Sequence, residues 1–204
     1  MSKDIKVGNK LPDYYDDPVD IFYKKYIDII NPHFKEAGIT PNMITTISLV
    51  FGLLACYLYY KSYYVSAGLS YIVSYFFDTM DGYFARIYDM GSVFGSYYDS
   101  VSDNVVALLL LILFYKNQKI SGLVKLTIIL VLAIYGFGTV YHMSCQEKYV
   151  KQTNEKHLSD GLAFLDKVKC SDFENMRYSR FFGPGVTTLV VAIIIAFHIF
   201  LTKK

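Results

Sequence analysis

Apolar residues are concentrated in five stretches of this 204-residue chain, separated by polar and charged segments. The stretches cover approximately residues 39–60, 64–85, 94–115, 123–143 and 182–201. A helix needs about 20 mostly apolar residues to cross the hydrocarbon core of a bilayer. The pattern therefore predicts an all-α integral membrane helical bundle with five to six transmembrane helices. A sixth would have to lie between residues 143 and 182, and that stretch is too charged to cross on this pattern.

Residues 17–38, ahead of the first stretch, show a different pattern. Apolar residues recur there at helical spacing with charged residues between them, namely Ile21, Phe22, Tyr26, Ile29 and Ile30 around Lys24, Lys25 and Asp28. This pattern is typical of an amphipathic helix on a membrane surface. An ordinary soluble helix has the same pattern, but no soluble domain is evident for it to pack against. We therefore divide the chain into a cytoplasmic N-terminal segment, residues 1–38, and a transmembrane domain, residues 39–204.

Charge orients the predicted bundle. The chain is 53% hydrophobic and 19% charged, against about 25% charged in soluble domains, and its net charge of +2 gives no footprint for nucleic acid. Fourteen of the 20 Lys and Arg residues lie before residue 39, near the second connection, or between residues 144 and 181. The positive-inside rule places these parts, and the N-terminus, in the cytoplasm. The polar first 18 residues lack the apolar core of a signal peptide.

The three cysteines are an odd number at wide spacing: Cys56, Cys145 and Cys170. A disulfide framework normally needs an even number of cysteines in a short secreted chain. The sequence therefore predicts no disulfide framework.

Acidic residues interrupt the second and third apolar stretches at helical spacing. At about 100° per residue, positions three and four apart share one face of a helix. One face of the second helix carries Asp78, Asp81, Gly82, Ala85 and Arg86, and one face of the third carries Gly95, Asp99 and Asp103. The short connection between the two helices makes them antiparallel neighbours, so we expect the acidic faces to converge.

Four converging carboxylates are unfavourable in a membrane protein. Insertion of each into the bilayer costs about 2.5–3.5 kcal/mol of free energy at the centre of a helix. Arg86 alone cannot neutralise four anions, whereas two divalent cations can. Oxygen ligands favour hard ions, so the sequence predicts a pair of Mg²⁺ or Mn²⁺ ions held by Asp78, Asp81, Asp99 and Asp103. Such ion pairs recur in phosphoryl-type substitutions. The alternative is a polar cluster that joins helices or lines an ion path.

These residues also match a known motif. They fill every fixed position of D-x2-D-G-x2-A-R-x8-G-x3-D-x3-D, and residues 39–49, ITPNMITTISL, contain a Pro-Asn-x-x-Thr start of a first transmembrane helix. In both features the chain resembles the CDP-alcohol phosphotransferase family. The resemblance covers approximately residues 39–115 and extends to the remainder only through the order of the helices.

The resemblance implies a helical membrane bundle whose active site faces the cytoplasm, in members that are often homodimers. It implies that Asp78, Asp81 and Asp99 chiefly hold the metal ions, and that Asp103 is the general base with access to a metal. It further implies contacts along the bound CDP group from Gly82, Ala85 and Arg86, with Asn42 and Thr45 added by weaker analogy.

Three functions remain open. The first is transfer of the phosphatidyl group of CDP-diacylglycerol to a small polar alcohol such as inositol, glycerol 3-phosphate or serine, with release of CMP; the short chain favours it. The second is transfer of a head group from CDP-choline or CDP-ethanolamine to diacylglycerol. The third is a non-enzymatic divalent-cation carrier, which would gain nothing from Arg86. Asn104 follows the last motif aspartate, where many family members have a basic residue, so the charge of the acceptor stays open.

Overall fold

The computed structural model describes residues 6–117, 121–153, 168, 170 and 173–201. Within these residues the chain is helical and contains no strand, which confirms the predicted all-α class. The helices are α1 (Pro18–Glu36), α2 (Pro41–Tyr60), α3 (Tyr64–Ile87), α4 (Val93–Lys116), α5 (Gly122–Thr153), α6 (Met176–Ser179), α7 (Pro184–Ala196) and α8 (His198–Leu201). Single 3₁₀ turns, Phe173–Asn175 and Arg180–Phe182, precede and follow α6.

The starts of the helices follow from local sequence. Asp17 and Thr40 cap α1 and α2, and each is followed by a proline in the first turn. Ser92 caps α4, since its hydroxyl accepts a hydrogen bond of 3.0 Å from the amide of Gly95. Capping side chains satisfy amides that have no partner within the helix, and proline tolerates the first turn because it has no amide hydrogen to place.

Four helical segments are long and apolar enough to cross a membrane: Pro41–Tyr60, Val93–Lys116, Gly122–Gln152 and Phe173–Ala196. The predicted second span, α3, is not among them. Its 24 residues would reach about 36 Å at 1.5 Å per residue, but its aspartates, serines and tyrosines lower its hydropathy. It lies between α2 and α7, its two most extensive neighbours. Part of its polar surface is therefore shielded from lipid by protein.

Small residues let these neighbours approach closely. The Ser48 and Ser74 hydroxyls of α2 and α3 each donate a hydrogen bond of 2.9 Å to the other residue's carbonyl oxygen. An ideal Cβ on Gly68 would stand 2.8 Å from the carbonyl oxygen of Ala192 in α7. Close approach of small residues is how helices associate where lipid removes the hydrophobic drive between them.

The N-terminal residues lie against the bundle. Helix α1 buries Ile27 against α3 and leaves Phe22, Tyr26 and Ile29 exposed. The contact of this exposed apolar face with a membrane surface stays a prediction. We call residues 6–16, which precede α1, the N-terminal strap. Leu11 of the strap is fully buried in a cluster with residues of α5 and α6.

Two features of the second half differ from the sequence expectations. Helix α5 continues ten residues past the predicted end at residue 143, to Thr153, because its polar last turns pack against the strap and not against lipid. The expectation of no disulfide framework was wrong in one respect: Cys145 and Cys170 form a disulfide, with Cα atoms 5.3 Å apart. Their 25-residue separation gives no sign of this proximity. Cys56 is free and buried.

Candidate active site

A cavity of about 350 Å³ opens between α2, α3, α4, α5, α7 and the N-terminal residues. All four motif aspartates line it, together with Gly82 and Arg86. Helices α3 and α4 are joined by only five residues, and both pack more extensively against α2 than against each other. Their aspartates nevertheless meet in this cavity. The expected convergence of the two faces is therefore present.

Three of the four carboxylates form a compact group. Asp78, Asp99 and Asp103 each offer an oxygen, and these oxygens lie within 4.8 Å of one another. Asp103 is the most exposed of the three and also lines the cavity. One oxygen of Asp99, Oδ1, is buried without a hydrogen-bond partner in the described part of the chain. A buried acceptor of this kind, within a set of hard oxygen ligands, fits a divalent ion such as Mg²⁺ or Mn²⁺.

The fourth carboxylate, Asp81, is held differently. It is buried, and its Oδ2 atom accepts a hydrogen bond from the hydroxyl of Thr45 in α2. Thr45 was expected beside the CDP group, but here it lies behind Asp81 and does not line the cavity. Its position suits a residue that orients Asp81.

The other predicted nucleotide-binding residues divide into two sets. Gly82 and Arg86 line the cavity, whereas Asn42 and Ala85 do not. Asn42 instead packs against α4: a Cβ on Gly95 would stand 2.9 Å from its Oδ1 atom. Because Gly95 has no side chain, the start of α2 and the start of α4 can lie in close contact.

The N-terminal strap holds the side chain of Arg86 in place. Its Nε atom donates a hydrogen bond of 2.6 Å to the carbonyl oxygen of Gly8. Its Nη1 atom would be 3.2 Å from a Cβ on Gly82, so the guanidinium lies over the glycine. The motif glycine thus leaves room for the motif arginine. Sequence reasoning missed the Gly8 contact, since 78 residues separate the partners.

Four further cavity residues come from the N-terminal part of the chain, and sequence reasoning also missed these: Lys10, Asp16, Asp20 and Lys24. Lys24 forms an ion pair with Asp16. Tyr75 of α3 donates a hydrogen bond of 2.7 Å to Asp20. Burial, followed by the neighbouring charges of Asp17 and Asp16, raises the pKa of Asp20 to about 7.

The side chains of the cavity carry an excess of negative charge. Six carboxylates face three cations, the latter being Lys10, Lys24 and Arg86. The excess of negative charge persists after the N-terminal residues are included, so it is not confined to the motif residues. Carboxylates at such close range favour metal binding because the ion removes their mutual repulsion.

A second, apolar cavity of about 220 Å³ lies deeper, between α4, α5 and α7. It shares two lining residues, Tyr71 and Ala107, with the first cavity. Its far end is bordered by Tyr59 and His198, whose side chains are hydrogen bonded at 3.1 Å. The polar cavity at one end of the bundle thus adjoins an apolar one within it.

Comparisons with known proteins agree with the motif. The sequence profile of the family described as CDP-alcohol phosphatidyltransferase matches residues 38–201. Archaetidylinositol phosphate synthase of Pyrococcus horikoshii is 35% identical over 82 residues, 40% of this chain and 44% of that protein. A cardiolipin synthase (CMP-forming) / mitochondrial hydrolase fusion protein of Schizosaccharomyces pombe is 35% identical over 66 residues, 32% of this chain and 11% of that protein. The chain therefore spans less than half the length of these curated relatives. No solved structure matches.

Proposed function

The chain belongs to the CDP-alcohol phosphatidyltransferase family, and we propose that it transfers the phosphatidyl group of a CDP-activated glycerolipid to a small polar alcohol. The family makes it a membrane transferase of phospholipid synthesis. CDP-diacylglycerol, or a diether counterpart, is the proposed donor, and CMP is the proposed leaving group. The observation that carries the proposal is the contact between a carboxylate-lined cavity and an apolar one through Tyr71 and Ala107. A lipid donor needs both environments.

Asp78, Asp99 and Asp103 would hold two Mg²⁺ or Mn²⁺ ions, with Asp81 as a further ligand. Bound ions supply positive charge that balances the pyrophosphate of the donor. Arg86 adds a fixed cation above Gly82, where the phosphates of the CDP group would lie. A guanidinium already held by Gly8 loses little side-chain freedom when it binds a phosphate.

Asp103 is the proposed general base. It faces the cavity and is the most exposed of the three clustered carboxylates, so an acceptor hydroxyl can approach it. The carboxylate takes the proton of that hydroxyl as the hydroxyl oxygen bonds to the phosphorus next to the lipid. The bond from this phosphorus to the oxygen of CMP breaks, and CMP leaves with that electron pair.

The names of the two relatives are relevant to the identity of the acceptor alcohol. The Pyrococcus horikoshii protein is named for an inositol phosphate lipid, and the yeast protein for a reaction that forms CMP. These names favour a polyol or phosphorylated polyol acceptor over diacylglycerol. The competing enzyme would place CDP-choline or CDP-ethanolamine in the polar cavity and diacylglycerol in the apolar one.

We propose that α3 crosses the membrane with the four apolar segments, which gives five spans. The N-terminal segment, residues 1–38, and the active site then face the cytoplasm, and the transmembrane domain comprises residues 39–204. Lysines in the strap and α1 favour this orientation. A homodimer, implied by the resemblance, stays a prediction.

The test is an assay of CMP release by purified protein with Mn²⁺ or Mg²⁺. CDP-diacylglycerol, its diether analogue, CDP-choline and CDP-ethanolamine are each paired with inositol, inositol 1-phosphate, glycerol 3-phosphate, serine or diacylglycerol. Release only with a CDP-lipid and a polar acceptor supports the proposal, and release only with diacylglycerol rejects it. Divalent-cation uptake into vesicles that lack any CDP-lipid would instead support the carrier.

A further inference from the structure

The N-terminal strap lies outside the part of the chain that matches the family, which begins at residue 38, yet it forms part of the active-site cavity. Lys10 and Asp16 of the strap line that cavity beside the motif residues. This chain therefore brings side chains to the site that the motif does not specify.

The strap is firmly packed. Gly8 adopts a φ of +83° and lies so close to α3 that a Cβ would stand 2.6 Å from Ile87 and 2.8 Å from Tyr83. Arg180 donates a hydrogen bond of 2.9 Å to the carbonyl oxygen of Tyr14, and Leu11 is fully buried. These contacts hold the backbone on both sides of Lys10, so its position in the cavity is determined by packing.

Lys10 is a partly buried cation between two helices of the site. Its Nζ atom lies 3.3 Å from Oε1 of Glu147 in α5, and its side chain is 27% exposed. Burial lowers its pKa, an effect that Glu147 opposes and that Arg86 reinforces. Lys10, Arg86 and Asp99 line the same cavity, and the charge of Asp99 favours the protonated form of Lys10.

Among the residues that the structure describes, neither Lys10 nor Arg86 forms an ion pair with a motif aspartate. Lys24, the third cation of the cavity, is paired with Asp16. Within the described residues Arg86 has no ion pair, and the ion pair of Lys10 is with Glu147 alone. Two cations that line one cavity repel each other, and an anion bound between them removes that repulsion. The anion carried by the substrates of this family of reactions is a phosphate group.

We propose that Lys10 of the N-terminal strap binds, together with Arg86, the phosphate oxygens of a substrate, and so acts as a specificity residue of the active site. The inference rests on the proposed function in taking a phosphate-bearing substrate as the ligand. The phosphate has two sources, the pyrophosphate of the CDP-lipid and a phosphate on the acceptor. A charge-assisted hydrogen bond of this kind contributes enough that its loss weakens binding about tenfold or more.

The experiment compares Lys10→Met with Lys6→Met in the full-length protein. Lys6 lies in the same strap but is 69% exposed and pairs with Asp13 at the surface, outside the cavity, so it is a matched control. Because Lys10→Met removes the ion pair with the buried Glu147, the double variant Lys10→Met/Glu147→Gln is made as well. Lys10→Arg tests whether a second type of cation restores binding. Far-UV circular dichroism melting verifies that each variant is folded.

Two arms separate the sources of the phosphate. In the first, calorimetry with Mn²⁺ measures the affinities for CDP and CMP; in the second, initial rates give KM for inositol 1-phosphate and for inositol. Tenfold weaker binding of CDP, with unchanged affinity for CMP, would show that Lys10 binds the pyrophosphate of the donor. A tenfold higher KM for inositol 1-phosphate alone assigns it to the acceptor. Lys10→Arg should recover most of either loss.

The proposal is overturned if folded Lys10→Met and the double variant stay within twofold of Lys6→Met in both arms. It is also overturned if CDP, CMP and both acceptors weaken equally, because that indicates a general disturbance. The calorimetric arm needs no turnover, so a wild-type protein that binds CDP but releases no CMP would contradict the proposed function and still test Lys10.

Discussion

The carboxylate of Asp17 accepts a hydrogen bond of 3.0 Å from the amide of Val186, 169 residues further along the chain. Its other oxygen accepts one of 2.7 Å from the amide of Val19. Asp17 thus satisfies the first turns of both α1 and α7, at opposite ends of the sequence. It does so while 1% exposed, and the approach is close enough that a Cβ on Gly183 would clash with it at 2.3 Å. One buried side chain therefore fixes the N-terminal helix to the bundle.

Replacing Asp17 with alanine removes both caps. One cap contributes about 0.5–2 kcal/mol, so we expect Asp17→Ala to lower the free energy of unfolding by about 1–4 kcal/mol. The chain has no tryptophan, and thermal unfolding in detergent is therefore followed by far-UV circular dichroism. Asp13→Ala is the control, since it removes only local contacts within the strap, with Lys6 and Asn9. Equal melting temperatures for the two variants would contradict the double cap.

Alanine substitutions at two glycines, Gly68 of α3 and Gly136 of α5, should have different effects on the melting temperature. Gly68→Ala would bring a Cβ within 2.8 Å of the Ala192 carbonyl oxygen and 3.0 Å of the Ala196 Cβ, so α7 must move and the protein should lose stability. At Gly136 of α5 nothing lies within 4 Å of the added Cβ. Gly136→Ala should leave the melting temperature unchanged or raise it slightly, because alanine favours helix. A melting temperature of Gly68→Ala equal to that of the wild type would rule out the close contact.

The raised pKa of Asp20 predicts how the stability of the protein depends on pH. Its pKa of about 7 in the folded protein exceeds the value of about 3.9 for an unfolded aspartate. The folded state therefore binds more protons between these values, and its free energy of unfolding should fall as pH rises from about 4 to about 7. Asp20→Asn should flatten this part of the profile, as measured by melting temperatures in detergent at intervals of half a pH unit. A slope as steep as that of the wild type would show that other groups cause it.

These features show what the sequence could and could not provide. Helical periodicity and the spacing of Asp78, Asp81, Asp99 and Asp103 were sufficient to predict the helices and their acidic faces, because both depend on residues close in the chain. Lys10 and the disulfide between Cys145 and Cys170 depend on the path of the backbone between distant elements. Nothing in the polar strap distinguishes Lys10 from Lys6, although one enters the cavity and the other is exposed.

The orientation of the bundle is tested with two introduced cysteines. Lys25→Cys lies on an exposed position of α1, and Tyr60→Cys on an exposed position at the other end of α2. An impermeant maleimide added to intact cells should label Tyr60→Cys only, and the reverse result would invert the proposed topology. Native thiols should not interfere, because Cys56 is buried and the other two are joined.

The same labelling tests the disulfide. In wild-type protein denatured without reductant, one thiol should react, that of Cys56, and three should react after reduction. The result matters for the orientation, since cytosolic disulfides persist mainly in proteins of hyperthermophiles. Three reactive thiols before reduction would show that Cys145 and Cys170 are not joined.

The division of roles among the aspartates is tested by two isosteric changes. If Asp103 mainly takes the proton of the acceptor, Asp103→Asn should slow turnover by about 10²–10⁴-fold, the usual effect of losing a general base, while the CDP-lipid still binds. Asp78→Asn should weaken donor binding and turnover together, with partial recovery at high Mn²⁺ concentration. Asp78 lies on the same helix face as Gly82 and Arg86, where the pyrophosphate would bind, whereas Asp103 is the more exposed carboxylate. Donor affinity by calorimetry and initial rates are measured for both variants. Equal losses of donor affinity would make Asp103 primarily a metal ligand, and the proton would then have to leave by another group.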